Sequence, residues 1–376
     1  MLRYQLAACL ALLPWAALPA SGTPFFARNY GMPCQTCHSG FPRLNRFGLE
    51  FKANNFRIPG AEKYAPMAWR NTPPLTAQVE PFYQRISPGS KVNQFTDTQL
   101  LAGGLLTPGT AFFLHHSYFV DKTPNEFPSY ELWVQQALDE KNKTFIKAGQ
   151  FELPFAYSPF INRTTPSAPL LLGALLEGND VPIGGVMNGI QLSTGHLDGT
   201  RFYLAFGAPA PGGNGTLNSE NYFFGRFRDL FLRLAHGRLD REAAIFSYTT
   251  NPPRDPGNAN SFERGQRYGI EGTLLLRAVD LQAMAVYGEN SNPLGDGKHG
   301  FFRSAFVEAD RMLLPWLGVT GRWDVQSQFT SAGKAYSDAK TVALRLYPYR
   351  TIKLSAEYQQ LDHGRSATTL FAAITF

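Results

Sequence analysis

From residue 75 to Phe376 the chain breaks into short segments in which apolar and polar residues alternate. Ile352, Leu354, Ala356 and Tyr358 interleave with Lys353, Ser355, Glu357 and Gln359. Leu317, Val319, Gly321, Trp323 and Val325 alternate with Gly318, Thr320, Arg322, Asp324 and Gln326, and Val342, Leu344 and Leu346 with Thr341, Ala343 and Arg345. A period of two with one polar and one apolar face means strands lying between a wet side and an apolar side. A soluble sandwich alternates in the same way, so the pattern alone does not choose the membrane.

Three further features favour the membrane. There are about 16 such segments of roughly 9–12 residues, the length a tilted barrel strand needs; the first begins near Leu75 and the last near Ser366. Connections alternate in length. Short turns are expected at Thr107–Gly109, Glu140–Asn142, His196–Asp198, Gly237–Asp240 and Pro348–Arg350, with longer connections at 154–185, 208–221, 250–265, 289–299 and 326–338. Outer-membrane barrels have short periplasmic turns and longer external loops. Finally, Leu370 to Phe376 reads as a last strand closing on a terminal Phe, which resembles the signal for outer-membrane insertion. The expected fold is all-β: a transmembrane antiparallel β-barrel of about 16 strands over 75–376, embedded in outer-membrane lipid of the Gram-negative type. An even strand number places both barrel ends in the periplasm. The later apolar candidate, Ala168–Leu176, is far short of the about 20 residues of a membrane helix.

Residues 1–22 read as a secretory signal: Arg3, an apolar stretch from Leu6 to Leu18, then Ala20, Ser21 and Gly22. Cys9 falls within it. That leaves Cys34 and Cys37 of the three cysteines, and no disulfide framework. These two stand in Cys34-Gln35-Thr36-Cys37-His38, the attachment pattern of a c-type haem. Each thiol can form a thioether with a porphyrin vinyl group, and His38 then reaches the iron as axial ligand. A redox dithiol or a zinc site are the rival readings of CxxC. Zinc would want four ligands, and there is no second Cys pair; a thioredoxin-like site would want a βαβ context, and none surrounds residue 34.

Residues 23–74 form a haem segment and linker. Phe41, Leu44, Phe47 or Gly48, and Phe51 recur at helical spacing, with Pro42 in the first turn and Asn54-Asn55 closing the helix in the left-handed region. Its apolar face is expected to cover the haem edge. Pro59, Pro66, Pro73 and Pro74 mark the linker. A segment this short cannot build a full core by itself, so it is expected in the barrel lumen or at its periplasmic mouth, covered by barrel wall.

Phe26-Ala27-Arg28, Gly31-Met32 before Cys34, Cys37-His38, and Phe41-Pro42, Leu44, Phe47-Gly48 and Phe51-Lys52 together resemble the N-terminus of the fused monohaem cytochrome–porins. The likeness covers about residues 25–56 and is architectural beyond them; Asn55 stands where relatives often have Gly. This resemblance implies an outer-membrane protein of iron oxidation and extracellular electron transfer. Its donor would be extracellular Fe(II) or another reductant, and its acceptor a periplasmic cytochrome or other carrier.

The sixth iron ligand is open among Met67, His115, His116 and a vacant or water-bound site, with Met32 too close to Cys34; alternation turns one of the two histidines inward. Glu177, Asp180, Asp255 and Asp296 read as solvated loop charges. No Ser/His/Asp constellation, phosphate-binding Gly loop or acid pair stands out. The net charge of +6 is scattered, so there is no nucleic-acid footprint. Electron transfer through one haem is the leading expectation. The alternatives are a diffusion porin with a haem-bearing plug or sensor, and a barrel that docks a partner cytochrome.

Overall fold

The computed structural model describes residues 24–69, 73–89, 91–117, 129–158, 163–173, 183–209, 229–251, 264–292 and 296–376. The expected signal segment and Glu177, Asp180 and Asp255 lie outside these residues.

A small hairpin, β1 (His38–Gly40) and β2 (Arg43–Leu44), precedes sixteen strands, from β3 (Leu75–Ser87) to β18 (Ser366–Thr375), that form a closed barrel. Each strand pairs antiparallel with its neighbours in sequence. The seam is β18 against β3, where Phe371 faces Phe82 and Ile374 faces Val79. The Phe376 N–H extends it by donating to the Ala77 carbonyl at 2.8 Å.

Exposure decides between the membrane and a soluble sandwich. Ile270 is 61% exposed, Ile245 58% and Val342 55%, while inward Glu308, Asp324, Arg267 and Arg345 are all fully buried. Apolar side chains outward and charged ones inward is the arrangement of a barrel whose outer solvent is lipid. The protein is therefore an outer-membrane barrel.

The sequence pattern and the strands differ at the ends. Strand lengths run from 8 residues in β5 (Thr110–Ser117) to 17 in β4 (Lys91–Thr107) and β16 (Gly333–Tyr349). The expected long connection 326–338 is instead a hairpin. There β15 (Leu317–Thr330) continues to a Thr330–Gly333 pair, with Gly333 at φ +135° making the reversal. Gln326, Ser327, Gln328, Ser337 and Asp338 carry no hydrophobic alternation because no lipid faces them, yet the hydrogen-bond ladder continues.

Among the described residues, two segments occupy the lumen. The first is a plug, residues 24–69, with helices α1 (Phe25–Tyr30) and α2 (Arg46–Ala53) flanking the β1–β2 hairpin. It sits at the short-turn, periplasmic end. Asn55 Nδ2 donates to the Gly109 carbonyl at 3.0 Å, Arg57 Nη1 to the Pro108 carbonyl at 3.2 Å, and Lys143 Nζ to Asn54 Oδ1 at 2.9 Å. Phe56 stacks on Trp133 at 5.7 Å between centroids. Burying an aromatic side chain of this kind contributes about 1.5–3 kcal/mol.

The second is a strap between β7 (Thr144–Glu152) and β8 (Val186–Gly195). Its described parts are 153–158, 163–173 and 183–185, of which the first two fold inward and attach to the far wall. The Ala156 N–H donates to Glu271 at 2.9 Å, the Ser167 N–H to Glu357 at 3.2 Å and the Leu170 N–H to Asp324 at 3.1 Å. Arg322 donates to Thr165 Oγ1 at 2.7 Å and to Ser167 Oγ at 2.9 Å.

Candidate haem-binding site

The site is built from the Cys34–His38 loop. Pro33 leads into a single 3-10 turn, Cys34–Thr36, closed by the Thr36 N–H on the Pro33 carbonyl at 2.9 Å and the Cys37 N–H on the Cys34 carbonyl at 3.1 Å. Upstream, α1 stops at Gly31, whose φ of +64° suits glycine. It is fixed to the barrel by its Phe25 N–H, which donates to Thr76 Oγ1 at 2.9 Å.

Asn45 holds the loop from below. Its Oδ1 accepts from the Gly48 N–H at 3.0 Å and so caps α2. Its backbone N–H donates to the Cys37 carbonyl at 2.9 Å, and its Nδ2 to the carbonyls of Thr36 at 3.0 Å and Gln35 at 3.2 Å. Helical spacing drew attention to the apolar residues here and missed Asn45; the signal available was an N-cap residue three before Gly48. The helix accordingly begins at Arg46 and not at Pro42 as expected. Pro42, after a cis peptide bond, lies in the turn between β1 and β2. Asn54 ends α2 at φ −90°, and the left-handed residues are Asn55 and Phe56.

Cys34, Cys37 and His38 line one lumen cavity of 280 Å³. Its apolar walls come from the plug, including Phe26, Phe51 and Phe56, and from the barrel, including Leu101 and Phe113; Thr165 and Pro166 of the strap line it as well. The two thiols are not joined as a disulfide. Burial pushes the Cys34 thiol up and, with the neighbouring Cys34, pushes Cys37 up to about 11. Burial lowers the His38 imidazole against the pull of backbone hydrogen bonds. Both thiols are thus protonated and the imidazole neutral at pH 7. His38 Nδ1 lies 3.0 Å from the Pro42 carbonyl. A carbonyl only accepts, so Nδ1 carries the hydrogen and Nε2 keeps its lone pair.

These residues fit a covalent haem: two thiols, a neutral imidazole with its tautomer set by a backbone carbonyl, and an apolar cavity in front of all three. Among the described residues no group of three His, Cys, Asp or Glu is arranged to hold a metal ion directly.

The barrel is a porin fold. It is similar to an anion-selective porin from Comamonas acidovorans (TM-score 0.59, 10% identity, 80% of this chain and 98% of that one). It is also similar to OmpF of Salmonella typhi in complex with daunomycin (TM-score 0.59, 11% identity, 80% and 97%). A third likeness is to in-vitro folded OmpT of Vibrio cholerae (TM-score 0.54, 9% identity, 80% and 96%). No protein-family model and no curated protein sequence matches the chain.

The distal-ligand candidates separate. His115 on β5 is 3% exposed and lines the cavity. His116, the next residue, points to the opposite face by strand alternation. Met67 does not line the cavity; it bridges to Leu105 on β4. Met32 does line it. Asp296, expected as a loop charge, accepts from the Lys298 N–H at 3.0 Å.

A second, polar cavity of 180 Å³ lies on the other side of α2. It is bounded by Lys52, Lys147, Glu131, Glu152, Arg201 and Glu242 among others. Nothing in the sequence announced it, because its walls come from strands far apart in the chain.

Proposed function

We propose that this outer-membrane barrel is a monohaem c-type cytochrome. Haem c is attached through Cys34 and Cys37 with His38 as axial ligand. The protein moves electrons from an extracellular reductant, Fe(II) first, to a periplasmic cytochrome or other carrier. The observation that carries the reading is the shared cavity: both thiols and the His38 imidazole line one apolar chamber at the periplasmic end of the lumen. When bound, the haem supplies a one-electron ferric/ferrous couple. The chain's own residues do the rest. Asn45 and Gly48 hold the attachment loop, Pro42 sets the His38 tautomer, the aromatic wall excludes water, and the strap covers the chamber on the side of residues 163–166. Low-dielectric cover is one of the protein's levers on haem potential. Fe(II) as donor is supported by the resemblance of residues 25–56 alone.

The test is haem-linked peroxidase staining of the matured protein, with Cys34→Ala and Cys37→Ala as controls, followed by reduced-minus-oxidised spectra on adding Fe(II). A matured protein with no stain ends the cytochrome reading. A stained protein that neither Fe(II) nor any other outer-face donor reduces ends the electron-transfer reading.

A diffusion porin with a haem-bearing plug is the second reading. The second cavity beside α2 favours it, since its charged side chains border lumen volume outside the haem chamber.

A further inference from the structure

We infer that His115, on the barrel wall, is the second axial ligand of the haem proposed above, so that plug and barrel each donate one imidazole. The inference rests on that reading and deepens it. The chamber that contains Cys34, Cys37 and His38 also contains His115. The two histidines come from different bodies: His38 from the plug hairpin, His115 from β5.

The tautomer of His115 is set as that of a ligating imidazole should be. Gln99 Nε2 donates to Glu80 Oε2 at 3.2 Å, which fixes the direction of the Gln99 amide. Gln99 Oε1 then faces His115 Nε2 at 2.8 Å. An amide oxygen only accepts, so His115 Nε2 carries the hydrogen and Nδ1 holds the lone pair. The chain Glu80–Gln99–His115 therefore does for the barrel imidazole what the Pro42 carbonyl does for His38. Ligating histidines characteristically have their other nitrogen fixed this way.

The other donors on the cavity wall fit less well. Lys353 Nζ donates to the Thr164 carbonyl at 2.8 Å, and both Lys353 and Lys52 would have to shed a proton before offering a lone pair. Met32 stands two residues before Cys34 on the attachment segment itself, and ligation by it is the outcome that would displace His115.

The experiment is electron paramagnetic resonance and near-infrared magnetic circular dichroism of the ferric holoprotein in detergent. The set is wild type, His115→Ala, His115→Met and His116→Ala, with barrel folding checked by heat-modifiable gel migration and haem attachment by staining. The expected wild-type spectrum is low-spin with two imidazoles. His115→Ala should lose it and become high-spin, and added free imidazole should restore it. His115→Met should convert it to a histidine–methionine spectrum with a raised potential. His116→Ala should match wild type. A wild type that is high-spin or histidine–methionine overturns the assignment, as does a His115→Ala protein that keeps the two-imidazole spectrum. Should His115→Ala fail to fold, His115→Met decides, because it keeps a long side chain at the position and replaces the imidazole donor with a thioether. Absence of stain in wild type is the separate failure of the haem reading, and loss of the signal without loss of stain is specific to His115.

Discussion

A β-carbon added to Gly48 would lie 2.2 Å from the carbonyl oxygen of Cys37. Helix α2 therefore rests directly on the backbone of the CxxCH loop, and the same carbonyl accepts the Asn45 N–H. The contact is with backbone, which cannot swing aside. Gly48→Val should shift α2 off the loop at a cost of about 1–3 kcal/mol, the usual range for overpacking. The expected result is a several-fold drop in haem-linked stain per folded barrel, with unchanged heat-modifiable migration. Gly321→Ala, with nothing within 4 Å of the added carbon, is the comparison variant and should stain as wild type.

Arg43 of the plug and Glu308 of β14 (Gly300–Leu314) form an ion pair with both side chains almost fully buried. Removing Arg43 strips Glu308 of its nearer partner and leaves it Arg322 at 3.6 Å, a loss smaller than the about 3–5 kcal/mol of a fully uncompensated buried charge. Arg43→Met should therefore expose the plug to protease at much lower denaturant than wild type. The double variant Arg43→Met/Glu308→Met should recover part of the loss. Glu308 also lies 3.6 Å from Arg322, but Arg322 keeps Asp324 at 2.8 Å. A double variant no better than the single would show that the pair does not anchor the plug.

How much of this was legible depends on what each residue answers to. Strand starts at Leu75 and Ser366 agree with the alternation, and those at Thr144, Val186, Arg241, Gly300 and Ile352 follow closely on the connections expected before them, because lipid on one side and lumen on the other act on every second residue. Beyond the lipid only the backbone ladder remains, so the hairpin around Gly333 looked like a loop. The strap was invisible for another reason. Ser167 answers to Glu357, and Thr165 to Arg322, more than 150 positions away, and no local pattern records such partners. Cys34, Cys37 and His38 stand out in the sequence because the spacing that covalent haem attachment would need is short and local. Of the three distal candidates, alternation could say that one of His115 and His116 faced inward but not which.

The plug is also expected to respond to acid through Glu62. Burial works to raise this carboxyl, but its own and the Gly60 backbone N–H groups, Asn54 and Lys143 outweigh it and bring it from an ordinary 4.5 to about 2. A lowered carboxyl contributes stability that is fully present above its unfolded value and is lost as pH falls through the folded one. Protection of residues 24–69 from an acid-active protease should thus decline between about pH 4.5 and 2, where the links from Glu62 to Asn54 and Lys143 lose their charge. Glu62→Gln should be less protected at pH 6 and should lack this step. An identical pH profile in the variant would mean that Glu62 does not tether the plug to the β6–β7 turn, β6 being Ser129–Asp139.

The filled lumen separates electron transfer from diffusion. Lys353 Nζ donates to the Thr164 carbonyl, Arg322 binds Thr165 and Ser167, and the N–H groups of Ala156, Ser167 and Leu170 end on Glu271, Glu357 and Asp324. These bonds hold the strap across the lumen from several sides, and charged groups at such attachments are stronger acceptors than neutral ones. A solute crossing from outside would meet the strap and then the plug. In planar bilayers the wild-type protein should accordingly conduct far less than an open 16-stranded porin measured alongside. Replacing 163–173 by a short Gly-Ser linker should raise conductance several-fold, since the barrel closes through β18 and β3 without help from the strap. Removing 24–69 as well should raise it further, because the plug blocks the periplasmic end independently. If instead the wild type already conducts like an open porin, and neither deletion changes it, solutes must pass beside α2 through the polar cavity. The diffusion reading would then replace the one argued from the haem chamber.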